Sequence, residues 1–238
     1  TNDEAPEWTD DDDAIAVFAR DLATGELSFV GAAVNGVSGV EGLDGANSLV
    51  TSPDGLHLYA ASAIDDAVAV FARSDTSGTL SLLQVLRDGV LDVDGIDGAS
   101  SVLLSADGRF LYVSGVDEPG IGVFTRDLVS GLLTQTDSEI DGILGSQVPP
   151  GDALQNSRGI VLSPDEELLV AVSHTERVWV SFRRDPATGS LAFIQEGTAF
   201  FLPSPHGART AWISPDQEEI LLVGGVGTFF ANALTESV

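Results

Sequence analysis

At 238 residues and 43% hydrophobic composition, the chain can bury a substantial core, either as one large all-β domain or as two small ones. Ten basic residues, every one an arginine, stand against 24 Asp and 13 Glu, and the net charge of −27 repels phosphate backbones and anionic membrane surfaces, which sets both aside as partners. Cysteine is absent, so disulfides and thiolate metal sites are excluded, and no apolar run reaches the roughly 18 residues needed to span a bilayer.

The chain opens on an acidic stretch, residues 1–13, read as an arm carrying Trp8 and the run Asp10 to Asp13. AIAVFARD at 14–21 is the first strand-like segment, and it returns as AVAVFARS (67–74), GIGVFTRD (120–127) and RVWVSFRRD (177–185). The phenylalanines in these segments, Phe18, Phe71, Phe124 and Phe182, are spaced 53, 53 and 58 residues apart, and Gly25, Gly78, Gly131 and Gly189 follow at the same intervals. A second in-register block, SPDG (52–55), SADG (105–108), SPDE (163–166) and SPDQ (214–217), sits between short apolar strands. One full unit therefore reads strand, Ser-x-Asp turn, strand, acidic turn, strand, Gly turn, strand, with Pro, Asp and Gly confined to the turns. Four antiparallel strands in about fifty residues is the pattern of a propeller blade. The expectation is an all-β propeller of four-stranded blades, about four to five in this chain. The units span 14–43 (partial), 44–96, 97–154, 155–205 and 206–232 (partial), with a tail at 233–238. Strands borrowed from the N-terminus would close a compact ring; otherwise the chain is an open sector of a larger one. The longer third linker, SEIDGILGSQVPPGDALQNSRG (138–159), is expected to emerge on one face and carry recognition.

The segment 44–89 and its echo at 97–142 resemble the lactonase-like β-propeller repeats of the 6-phosphogluconolactonase and YVTN-type group, as found in exported bacterial proteins. The resemblance implies a seven-bladed ring and a substrate-facing end of the central channel marked by a Gly-Pro-Arg-His run ahead of the Ser-x-Asp turn. The matching stretches here are GANS (45–48), GASS (98–101), NSRG (156–159) and GART (207–210). Arg158 and Arg209 keep the arginine, and no copy keeps the histidine. Seven blades at this period need about 370 residues. Both departures weigh against catalysis.

A lactonase without metal needs a base and a cation for the developing oxyanion. His206 and Arg209, with Arg158, are the candidate catalytic group, and His174, at the end of a second strand, is expected to be an exposed turn residue. The repeated Arg20, Arg73, Arg126 and Arg184 are read as structural, pairing with an acidic turn or capping a strand end. Asp88, Asp92, Asp94 and Asp97 share a Gly-rich loop that could suit calcium, although the spacing matches no EF-hand. Otherwise no cofactor is implied. The sequence favours a non-catalytic, exported, salt-adapted propeller, extracytoplasmic and acting as a protein-binding or scaffold module with a protein partner or in an oligomer. The alternatives are a lactone hydrolase and a calcium-stabilised subunit of an extracellular assembly.

Overall fold

A computed structural model describes residues 13–140, 154–174, 178–198, 208–224 and 227–232. All regular elements in these segments are strands, and no helix is long and apolar enough to cross a membrane. A first hairpin pairs β1 (Ala14–Arg20) with β2 (Leu27–Val34). The second blade is β3 (Ala46–Thr51), β4 (His57–Ser62), β5 (Ala67–Arg73) and β6 (Leu80–Arg87). The third is β7 (Ser101–Leu104), β8 (Phe110–Gly115), β9 (Gly120–Arg126) and β10 (Leu133–Ile140). The fourth is β11 (Ser157–Leu162), β12 (Leu168–Ser173), β13 (Val178–Arg184) and β14 (Leu191–Thr198). A fifth sheet holds β15 (Ala208–Ile213), β16 (Glu219–Gly224) and β17 (Gly227–Asn232). Neighbours in each sheet are antiparallel and consecutive, as the repeat predicts. The first hairpin and the fifth sheet are separate sheets, so no strand is borrowed between them among the described residues.

Each blade is built by the same local chemistry. In the turn after the first strand, the Ser52 hydroxyl donates to Asp54 and accepts the His57 amide at 3.0 Å, while Asp54 accepts the Leu56 amide at 2.9 Å. The latch recurs at Ser105/Asp107, Ser163/Asp165 and Ser214/Asp216. The turn's fourth residue is left-handed in every copy: Gly55 and Gly108 adopt that conformation freely, whereas Glu166 (φ 61°) and Gln217 (φ 63°) hold it against the usual steric penalty. A register shift recurs where β1, β5 and β13 reach Phe18, Phe71 and Phe182, a bulge that sharpens the twist of the outer hairpin.

The second strands β4 and β8 are buried along their whole length, because blades cover both of their faces. The core is a series of slabs between blades. Tyr59, Val68 and Val70 of the second blade meet Leu111, Val113 and Phe124 of the third, and Phe110, Tyr112 and Val123 meet Leu169, Val180 and Phe182 of the fourth. First strands approach one another from blade to blade, β3 with β7, β7 with β11 and β11 with β15, which makes them the inner wall of the ring.

The repeated arginines are the bolts of these joints. Arg126, buried in the third blade, donates from Nε to the Tyr59 hydroxyl at 2.6 Å and from Nη2 to Asp54 at 3.0 Å, and it lies 2.9 Å from His57 Nδ1. The Tyr59 hydroxyl in turn donates a hydrogen bond to the Gly131 carbonyl at 2.9 Å. One joint further on, Arg184 repeats the contact with Tyr112 at 2.6 Å, and Tyr112 with Gly189 at 2.8 Å. Gly131 and Gly189, both left-handed, admit the aromatic ring of the preceding blade: an added Cβ would lie 2.1 Å from His57 or 2.3 Å from Phe110. For Arg126 and Arg184 these contacts match the sequence reading of the repeated arginines as structural. His57 is a residue that reading passed over; its signal was its register, five residues after Ser52 as Phe110 is after Ser105.

Candidate functional site

The four stretches GANS, GASS, NSRG and GART fall at the starts of β3, β7, β11 and β15, at one end of the inner wall. Their third positions are Asn47, Ser100, Arg158 and Arg209, and both arginines are exposed. The structure brings the backbones of the two together. Gly159, beside Arg158, abuts β15 so closely that an added Cβ would lie 2.6 Å from the Arg209 carbonyl oxygen. Two guanidinium-bearing residues of neighbouring inner strands thus share one corner of the channel end, in a chain of net charge −27.

Asn156, left-handed at φ 52°, organises that corner. Its side-chain oxygen accepts Arg158 Nε at 2.8 Å, and its carbonyl accepts the His174 amide at 3.0 Å. His174 therefore belongs to the corner, and it is buried rather than the exposed turn residue expected from sequence, because the end of β12 is covered by the linker that enters β11. His206, the histidine favoured from sequence, and the linker residues 141–153 lie outside the described residues. A pocket of about 170 Å³ lies further round the inner wall between the first hairpin and the second blade, lined by Ala14, Asn47, Ser48 and Leu49 among others.

The four aspartates expected to form one calcium site are divided. Asp97 joins Asp66 and Asp117, whereas Asp88 and Asp94 join Glu118, each trio within 4.8 Å; Asp92 is in neither. The division follows from the joint, which draws Asp66, Asp117 and Glu118 from the β4–β5 and β8–β9 turns. Either trio offers oxygens of the kind a hard cation takes. These carboxylates also have a repeated structural task. Asp66 accepts the Gly98 amide at 2.8 Å, as Asp13 accepts the Gly45 amide at 2.9 Å one blade earlier. Burial, the hydrogen bond to Asp66 and the charges of Asp66, Asp88 and Asp117 push Asp97 up to about 6.

This arrangement of four-stranded blades, with first strands inside and a motif-bearing channel end, defines a β-propeller. A family model described as "Lactonase, 7-bladed beta-propeller" matches residues 12–205, and the chain belongs to that family. The periplasmic gluconolactonase PpgL of Pseudomonas aeruginosa is similar in structure, with TM-score 0.67 and 24% identity over 88% of this chain and 56% of that one. A Lactobacillus plantarum protein of solved structure is 26% identical, with TM-score 0.64 over 78% of this chain and 49% of that one. An uncharacterized protein of Lactococcus lactis subsp. cremoris is 24% identical over 159 residues, 67% of this chain and 43% of that protein. The chain thus spans about half the length of these relatives.

Proposed function

We propose that the channel end built around Arg158 and Arg209 recognises a small sugar lactone and promotes its hydrolysis. The observation that carries this reading is the pairing of two exposed arginines on adjacent inner strands, at the motif position that the family resemblance marks as substrate-facing. Attack of water on a lactone carbonyl places negative charge on its oxygen, and the sugar acid released is a carboxylate. Guanidinium groups held in advance stabilise both, as they do any developing oxyanion. Asn156 fixes the direction of Arg158. His174, whose backbone amide bonds Asn156, is the residue of that corner to be tested as the base.

The test is hydrolysis of glucono-δ-lactone by the 238-residue chain, followed by acid release against the buffer rate. Arg209→Ala and Arg158→Ala should each lower the rate at least about tenfold, the low end for loss of an oxyanion donor. No turnover above buffer, or variant rates equal to that of the unaltered chain, dismisses hydrolysis. The second reading, a non-catalytic binding module, is favoured by one observation: the motif's histidine positions hold Ser48, Ser101, Gly159 and Thr210. On that reading gluconate or the lactone binds, the arginine variants lose binding, and no acid appears.

A further inference from the structure

The joint between the third and fourth blades departs from the one before it at three buried positions. Between the second and third blades, Ala61 and Ala99 belong to one apolar slab and Leu86 packs against it. One joint further on, the same positions hold Ser114, Ser157 and Glu139, which are 0%, 0% and 4% exposed. The equivalence is one of register. Ala61 pairs with Ser48 as Ser114 does with Ser101, and Leu86 pairs with Val68 as Glu139 does with Ile121. Ala99 and Ser157 are the second residues of GASS and NSRG.

The polar groups face one another across the joint. Ser114 and Glu139 flank Ile121 in the sheet, and Ile121 packs on the fourth blade, so both side chains point that way. Ser157 stands opposite Ser173, two residues beyond Ala171 on the strand whose Leu169 and Ala171 enter the same slab, and so points back to the third blade. β11, which carries Ser157, lies against β8, which carries Ser114. Yet neither hydroxyl has a hydrogen-bond partner among the described residues, not even the other.

We infer that Ser114, Ser157 and Glu139 hold one internal water molecule that bridges the two blades. Two buried hydroxyls without partners destabilise a fold, and the alanines of the preceding joint show that the slab packs without them. A water gives and accepts hydrogen bonds, and buried ones make about three, which matches two hydroxyls and a carboxylate around one centre. A hard cation fits less well, because calcium takes about six to eight oxygens and the site supplies one carboxylate. Ser157 joins the site to the chain between Asn156 and Arg158, but the inference does not depend on what that corner binds.

The test is a double-mutant cycle in the 238-residue chain, with the alanines of the preceding joint as precedent. Ser114→Ala and Ser157→Ala should each lower the folded-to-unfolded ratio in urea about tenfold, because each leaves a buried group short of a bond. The double variant should lose no more than either single one, since the hydroxyls are coupled through the shared water. A double loss equal to the product of the two, about a hundredfold, overturns the inference, and so does a gain from either substitution. A crystal structure of the unaltered chain should show one water within hydrogen-bond distance of both Oγ atoms; a direct bond between the two hydroxyls overturns it. So does a rise in Tm with calcium or sodium chloride that the double variant lacks, because the occupant would then be a cation.

Discussion

The first hairpin and the third blade are near-copies in sequence and opposites in environment. AIAVFARD and GIGVFTRD each supply a bulge-side phenylalanine, an arginine two residues later and a left-handed glycine beyond. In the third blade, Phe124 and Arg126 are buried against the second blade, and Gly131 is roofed by His57. In the hairpin all three stand in solvent. The difference shows where stability resides: the strand sequence forms the sheet, and the neighbour turns it into core.

That contrast can be broken by paired substitutions. The largest effect is expected at the glycines. Gly131→Val forces a side chain into the His57 ring and should cost more than about 3 kcal/mol, whereas Gly25→Ala meets only the left-handed backbone penalty of about 1 kcal/mol. Urea denaturation of both variants measures the gap, and equal losses would mean that the joint contributes nothing. Next come the arginines. Arg126→Ala removes the donor to the Tyr59 hydroxyl and to the half-exposed Asp54, leaves Tyr59 its bond to Gly131, and should cost about 2 kcal/mol, while Arg20→Ala should stay within about 0.5 kcal/mol.

The smallest effect is one of pH. Burial, and then the Arg126 charge, hold His57 below its usual range, against the opposing pull of Asp54. The neutral ring is also what accepts from Arg126. Because the folded value lies below the unfolded one, the unfolded chain binds the extra proton. The stability is therefore complete above about 6.5 and is lost as pH falls through the folded value. Asp97, raised to about 6, acts oppositely: its contribution is present below 3.8 and fades as pH rises through 6. His57→Phe, with Phe110 as precedent at the same station, should keep the ring on Gly131 and flatten the acid limb of the Tm–pH curve. An unchanged acid limb would assign the loss to other groups.

The sequence made the repeat, the strand order within blades and the structural nature of Arg126 and Arg184 legible, because each follows from register alone. It could not separate Arg20 from Arg126, since their local sequences agree and burial is set by contacts distant in sequence. The calcium expectation divided for a similar reason: Asp88 and Asp97 are near in sequence, but carboxylates from two different turns decide which group each joins. The corner of Asn156, Arg158 and His174 was legible only in pieces. Arg158 was marked by the motif, whereas Asn156 earns its place through a left-handed backbone that no spacing reveals.

The turn glycine that two blades have lost bears on how such repeats change. In the third blade Gly108 leaves its Cβ position against Pro53, and in the fourth the residue there is Glu166. The Ser163–Asp165 latch keeps the turn's shape without glycine, so the position is open to a side chain. Glu166 uses that opening: its carboxylate accepts the Ala106 amide of the blade before and lies 3.7 Å from Arg184 of its own. A residue whose first task was to let the chain bend has become a strap between neighbours, which is how copies of one unit can diverge into individuals while the ring geometry stays the same.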